Sequence, residues 1–284
     1  MTDTPRRPRR RGRRLLLGAL VLAVLLALFF WWQQNGIKTT VVEVESAQLP
    51  AAFDGLRIVH LSDLHGKEFG TGSETLLEQV AGLEPDLIAI TGDLIDQESQ
   101  LEMVPALARG LAAIAPTYYV TGNHEWAVRR VNDLKQLLSD CGVRVLTNSF
   151  EVWEKAGATL AIAGVDDPNG PLGQKSGPEL RSEIDADYVI LLSHRDTVEE
   201  YAAWGYDLVL CGHGHGGIFR VPILNIGLLG TNRRFFPAYD GGLYSIGPDA
   251  WCFVSRGLGS NTQPFQTFRL FNRPDLPVLV LHTQ

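Results

Sequence analysis

The sequence predicts an α/β fold of parallel strands behind a membrane-length N-terminal helix, and three observations carry the prediction. Five short runs rich in β-branched and aromatic residues, LRIVHLS, DLIAIT, TYYVT, DYVILLS and DLVLC, read as strands. Helical patterns, SETLLEQVAGL, MVPALARGLAAI and NDLKQLLSDC, follow the first three, and the last of these stops at Gly142 as a helix C-terminus does. The spacing fits one strand-helix-strand unit per step, because Asp63, Asp93 and Asn123 succeed one another at intervals of 30 residues. Such units give parallel strands whose carboxyl ends share one edge of a sheet, where open α/β folds bind ligands.

The chain is long enough for one large core. With 284 residues, 45% of them hydrophobic, 20% charged, and only 3 Cys, it is neither disordered, collagenous nor a disulfide scaffold. Cys141, Cys211 and Cys252 cannot all pair within one chain and have no ligand spacing, so they read as small buried hydrophobes.

Taking the elements in order, residues 1–14 hold seven Arg and one Asp, which leaves 18 basic and 31 acidic residues, a net charge of −13, in the remainder. An acidic body repels phosphate backbones at long range, which argues against nucleic acid as a bulk partner. Leu15 to Trp32, LLLGALVLAVLLALFFWW, is an uncharged stretch of 18 residues, the length of a spanning helix. Arg residues before it and Trp31 and Trp32 at its end put the N-terminus in the cytoplasm and the body outside. No small-x-small cleavage site follows, so the segment reads as an uncleaved single-pass anchor. A cleaved signal sequence, with Arg13-Arg14-Leu15 loosely resembling a twin-arginine signal, is the alternative. The expected organisation is a basic tail over 1–14, the anchor over 15–32, a linker and first extended segment over 33–54, and one domain over 55–284.

Each strand-like run ends in polar residues. The ends are Asp63-Leu-His65, Gly92-Asp93-Leu-Ile-Asp96, Gly122-Asn123-His124-Glu125, His194, and Gly212-His213-Gly-His215. Five of the seven His fall there; His60 lies inside the first strand and reads as a core histidine, and His282 has no partner legible in the sequence. His, carboxylate and amide together are a donor set for manganese, iron or zinc rather than calcium. A structural zinc site would be closed and mostly Cys-rich, unlike this set.

Taken in order, Asp-x-His, Gly-Asp-x-x-Asp, Gly-Asn-His-Glu, His and Gly-His-x-His resemble the full signature of the calcineurin-like metallophosphoesterases. VSRGLGS and FRLFNRPDLPVLVL near the C-terminus resemble the bacterial membrane-anchored or exported, YkuE/YaeI-like phosphodiesterase branch. The resemblance implies a four-layer α-β-β-α sandwich with two divalent metal ions (Mn, Fe or Zn) at the strand ends. One ion would be held by Asp63, His65 and His215, the other by Asn123, His194 and His213, with Asp93 bridging. The two cations would supply the positive charge that an acidic body needs to take a phosphate, and lower the pKa of a bridging water that acts as nucleophile. The resemblance also implies that His124 faces the leaving group as proton donor, oriented by Glu125; capping of the following helix is the plainer role for His124. Asp96 reads either as an acceptor for a metal-bound His or as a helix cap, and Arg195 as a surface residue or a phosphate contact. Gly214 stands where relatives often have Thr.

The function this implies is a metal-dependent phosphodiesterase acting on phosphodiester or pyrophosphate bonds of envelope, cell-wall-derived or lipid-linked substrates. A phosphomonoesterase and a non-catalytic metal-binding scaffold are the alternatives. The stretch from Gly217 to Gly242, with Arg233, Arg234, Phe235 and Phe236, would either shape the substrate cleft at the membrane or form a core strand with a solvated turn.

Overall fold

In the computed structural model, which describes residues 9–231, 234–261 and 267–284, the strands lie where the apolar runs set them. In chain order they are β1 (Lys38–Ser46), β2 (Arg57–Leu61), β3 (Leu87–Thr91), β4 (Thr117–Val120), β5 (Arg144–Val145), β6 (Ser149–Lys155) and β7 (Ala158–Gly164). They continue with β8 (Tyr188–Leu192), β9 (Leu208–Cys211), β10 (Arg220–Val221), β11 (Ile226–Gly227), β12 (Gly242–Gly247), β13 (Ala250–Val254) and β14 (Asp275–Thr283). The helices are α1 (Arg9–Asn35), α2 (Glu74–Gly82), α3 (Val104–Ile114), α4 (Asn123–Val128), α5 (Val131–Asp140), α6 (Gly177–Arg181) and α7 (Val198–Tyr201).

Two six-stranded sheets form, ordered β1-β14-β2-β3-β4-β5 and β12-β13-β9-β8-β7-β6. Within them β2 to β5, and β7, β8, β9 and β13, run parallel. Period-two alternation assigns the faces. Ile58, Leu87, Ala89, Tyr118, Leu160 and Ile162 point between the sheets into one apolar layer. Their sequence neighbours Val59, Ile88, Ile90 and Tyr119 face α2, α3 and α5 in a second layer, and Ala161, Val189, Leu191 and Val209 face α6 and α7 in a third. The result is the four-layer α-β-β-α sandwich.

Two stretches take a form that local pattern does not reveal. The extended part of 33–54 is β1, a full strand of the first sheet, paired in parallel with β14 from Lys38↔Asp275 to Ser46↔Thr283. Its alternating KTTVVEVES pattern is that of a half-buried strand, but its partner lies more than 200 residues away. The run from Gly217 is not a core strand. It forms the short β10–β11 hairpin, a two-stranded sheet among the described residues, with Ile223 at its tip fully exposed. Arg233, named above, lies outside the described residues.

Helix α1 carries a stretch, Gly12–Asn35, that is long and apolar enough to cross a membrane, with none of its apolar window buried by the body. The three cysteines are free and buried, as small apolar residues are.

Candidate metal centre

Carboxyl ends of strands from both sheets meet here. Asp63 and His65 follow β2, Asp93 follows β3, Asn123 and His124 open α4 after β4, His194 follows β8, and His213 and His215 follow β9. The single sheet edge expected from the sequence spacing is therefore two edges, face to face. Five of these residues, Asp63, His65, Asp93, His213 and His215, have positive φ of 49° to 69°. Non-glycine residues adopt that region at a cost, and strain of this kind collects where side chains must be aimed at a site. Gly92 and Gly122 let the loops approach: an added Cβ at Gly92 would stand 2.3 Å from the Gly122 nitrogen, at a φ of +83°.

The side chains form overlapping donor groups, each with its ligand atoms within 4.8 Å: Asp63, His65 and His215; His65, Asp93 and His124; Asp93, His194 and His213. Asn123 joins the last through its Oδ1, 3.1 Å from His194 Nε2. The chemistry of this set calls for cations. His194 Nδ1 donates to the Thr91 carbonyl at 2.8 Å, so its Nε2 presents a lone pair to Asn123 Oδ1 at 3.1 Å and to Asp93 Oδ2 at 3.3 Å. Acceptor faces acceptor, and only a proton or a metal ion resolves the conflict. The ionisation tendencies agree. Burial works against a charged His194, yet Asp93 and Asp63 outweigh it and raise its pKa to about 10. Burial, reinforced by neighbouring positive groups, pushes His213 down to about 3 and His215 well below its ordinary value, which keeps both imidazoles in the neutral form that ligates metal. At Asp93 burial is overridden by His194, His65 and His124, which hold it well below the usual carboxylate range.

The surrounding contacts reassign two residues. Glu125, expected to orient His124, is fully buried and spends both oxygens on backbone N–H groups of Gly122 (2.7 Å), Asp93 (3.1 Å) and Leu94 (2.5 Å). It ties the β3 and β4 loops together, and none of these hydrogen bonds is to His124. Burial and the Asp93 charge push its pKa up to about 7. The partner of His124 is Asp96, whose Oδ1 accepts from His124 Nδ1 at 2.7 Å and from His65 Nδ1 at 2.5 Å. His124 is the more open of the two imidazoles, with 17% of its side chain exposed against 0% for His65.

Three residues had ambiguous or absent sequence signals. Arg195 is held in a two-pronged contact by buried Asp167, at 2.6 and 3.1 Å, and directs Nη1 to His213 Nε2 at 3.3 Å, so it is not a loose surface residue. Arg269, 2% exposed, donates to the Gly259 and Arg256 carbonyls and brings Nη2 to 3.3 Å from His215 Nδ1; a lone Arg in FRLFNRP carries no motif that would single it out. Asn272 donates to the His215 carbonyl at 2.7 Å. Outside the centre, His60 is a core histidine bonded to Thr91, and His282 meets Glu43 on the surface.

The chain is similar to known phosphoesterases. The family model described as calcineurin-like phosphoesterase matches residues 56–217. An uncharacterized metallophosphoesterase of Aquifex aeolicus is 31% identical over 84% of this chain and 89% of its own length. The phosphodiesterase YaeI of Escherichia coli is 30% identical over 79% of this chain and 82% of its own. A bovine protein named transmembrane protein with metallophosphoesterase domain is 31% identical over 85% of this chain, which spans 56% of that longer protein.

Proposed function

The chain belongs to the calcineurin-like phosphoesterase family, and from that premise we propose that it is a membrane-anchored, two-metal phosphodiesterase whose catalytic domain faces the outside of the cell. The observation that carries the reading is the pair of donor groups, Asp63 with His65 and His215 and Asp93 with His194 and His213, joined where Asp93 Oδ2 lies 3.8 Å from His65 Nε2. In this reading one ion is held by Asp63, His65 and His215 and the other by Asn123, His194 and His213, with Asp93 between them. Manganese, iron or zinc suits such ligands. When bound, the two ions supply Lewis-acid activation of water and neutralise the phosphate oxygens.

The remaining work falls to side chains of the protein. His124 donates its Nδ1 hydrogen bond to Asp96, which leaves Nε2 as the position from which a proton reaches the departing alkoxide. Burial disfavours the charged imidazole, but the Asp96 hydrogen bond and the nearby carboxylates raise its pKa, as a proton donor requires. Arg195, fixed by Asp167, stands beside His213 where it can hold a phosphate oxygen. The preference for diesters leans on the name of the Escherichia coli relative, the membrane location on α1, and the outward orientation on the Arg cluster before it.

The full chain in detergent, stripped by chelator and reloaded with manganese, should hydrolyse a soluble aryl phosphodiester faster than the matching monoester. A monoester preference would make it a phosphatase; two bound metals without turnover would make it a scaffold.

A further inference from the structure

The last turn of α1 is joined to the body close to the metal centre. Gln34 Nε2 donates to the Arg269 carbonyl at 2.6 Å, and the Arg269 amide donates back to Gln34 Oε1 at 3.0 Å. Arg269 is the residue whose guanidinium reaches His215. Arg273 lies over the Trp32 ring, 4.1 Å from its centre, and donates to the Gly36 and Ile37 carbonyls. The contact continues back into the apolar run, where Phe29 packs on Phe271 at 5.9 Å between ring centres and Phe30 on Phe268 at 5.5 Å. Phe29 is five residues before Gln34, about 7.5 Å along a helix rising 1.5 Å per residue. Phe268 and Phe271 therefore sit at the level of the anchor's own membrane-embedded end.

The β10–β11 hairpin stands at the same level. A cavity of about 430 Å³ between it and α1 is lined by Phe29 and Trp32 on one side, Ile223 on the other, and the cations Lys38, Arg256 and Arg273. Among the described residues of the body, nine large apolar side chains are exposed, and six of them are Ile223, Leu224, Ile226, Phe235, Phe236 and Phe271. Scattered exposed apolar residues are ordinary, but Ile223 and Phe271, with Leu224 and Ile226 of the same hairpin, gather beside a membrane-length helix and a set of cations and form a surface that water serves poorly. Phe235 and Phe236 lie apart with Asp196 and Glu199. The hairpin begins at Arg220, five residues after His215.

We infer that the β10–β11 hairpin and Phe271 are a second membrane-contact element, seated in the interface of an anionic bilayer beside the anchor, and that the substrate is a membrane lipid phosphodiester presented from the bilayer surface. The apolar tip enters the lipid boundary while Lys38, Arg256 and Arg273 meet anionic headgroups, the combination by which interfacial segments bind. The inference rests on α1 as an uncleaved anchor and on the phosphodiesterase reading above.

Buried native cysteines leave an introduced surface thiol as the reactive one. Full-length protein carrying Ile223→Cys, or Val152→Cys on the far edge strand β6 as control, is labelled with an environment-sensitive nitrobenzoxadiazole dye. It is then reconstituted in phosphatidylcholine vesicles containing phosphatidylglycerol and a headgroup-level nitroxide lipid. Blue-shifted, quenched emission at position 223 and water-like emission at 152 are expected. Water-like emission at both overturns the inference. In a second arm, Ile223→Asp with Leu224→Asp should lower hydrolysis of a phosphodiester lipid in vesicles at least tenfold while leaving the soluble aryl diester rate unchanged. Equal rates on the lipid overturn the inference. Failure of the unsubstituted protein on both substrates would remove the phosphodiesterase reading and the lipid substrate with it, while the emission result still decides membrane contact.

Discussion

Gly122→Ala isolates how tightly the loops around Asp93 must close. Gly122 has φ −101° and ψ −174°, extended backbone open to any residue, so alanine there adds only a methyl group and no backbone strain. That methyl would stand 2.3 Å from Asp93 Oδ1 and 2.5 Å from the Asp93 backbone nitrogen. The nitrogen cannot swing aside, because Glu125 holds its N–H at 3.1 Å. With ordinary contact at about 3.5 Å, the two loops must separate by about 1 Å. A displacement of that size in a catalytic constellation costs about 100-fold in rate, or about 2.7 kcal/mol on the barrier. Asp93 belongs to two of the three donor groups, so metal content should fall as well. The assay is kcat/KM on a soluble aryl phosphodiester, with metal per chain by mass spectrometry and far-UV circular dichroism to show a retained fold. Gly82→Ala, whose methyl meets open space at the end of α2, serves as the inert control. A Gly122→Ala protein with unchanged kcat/KM and two metals would refute the reasoning.

Other perturbations separate the remaining roles. Asp93→Ala should lose both metals and all activity, read by metal analysis and turnover together. His124→Ala should keep its metals while kcat falls by about 10² to 10⁴, the range for a lost proton donor; full activity would show that His124 has another role. Asp96→Asn should lower activity or metal affinity by about 10- to 100-fold, as removal of a carboxylate behind metal-bound His does, whereas a helix cap alone would change thermal stability and leave kcat intact. His60 offers a pH test of stability. Burial lowers its pKa from 6.5 to about 3, so in that window the unfolded chain binds a proton that the native one does not. Its stabilising contribution is complete above 6.5 and declines as pH falls. In metal-free protein, the difference in unfolding free energy between wild type and His60→Leu should therefore shrink by about 1.4 kcal/mol per pH unit on acidification through this window, measured by denaturant titration; a difference independent of pH would place a proton on His60 in the native state.

Much of the centre was legible because its ligands are local to strand ends. A short β-branched run followed by Asp, Asn or His needs no distant information, and equal spacing along the chain announces repeated strand-helix units. The helices over Glu74–Gly82, Val104–Ile114 and Val131–Asp140 were likewise visible, since one face of each carries the apolar residues that the first sheet buries.

What the linear pattern could not supply is everything that depends on which strand lies beside which. Asp96 and Glu125 are both acidic and stand alike in their own loops, the first three residues beyond Asp93 and the second three beyond Gly122. Nothing local tells which of them supports His124; the packing of the β3 loop against α4 turns Glu125 onto backbone and Asp96 onto imidazole. Arg269 reaches His215 across 54 residues of sequence, and β1 finds β14 across more than 200, because burying a strand edge or a guanidinium is a property of the closed shell. The sequence by itself determined the donor types, the strand-helix periodicity and the apolar N-terminal helix, all set by side-chain chemistry and short-range repeat. Only the tertiary structure decided that two sheets bring those donors face to face, which carboxylate orients which histidine, and that the last turn of α1 is bonded beside the centre, since each of these rests on contacts between segments far apart in the chain.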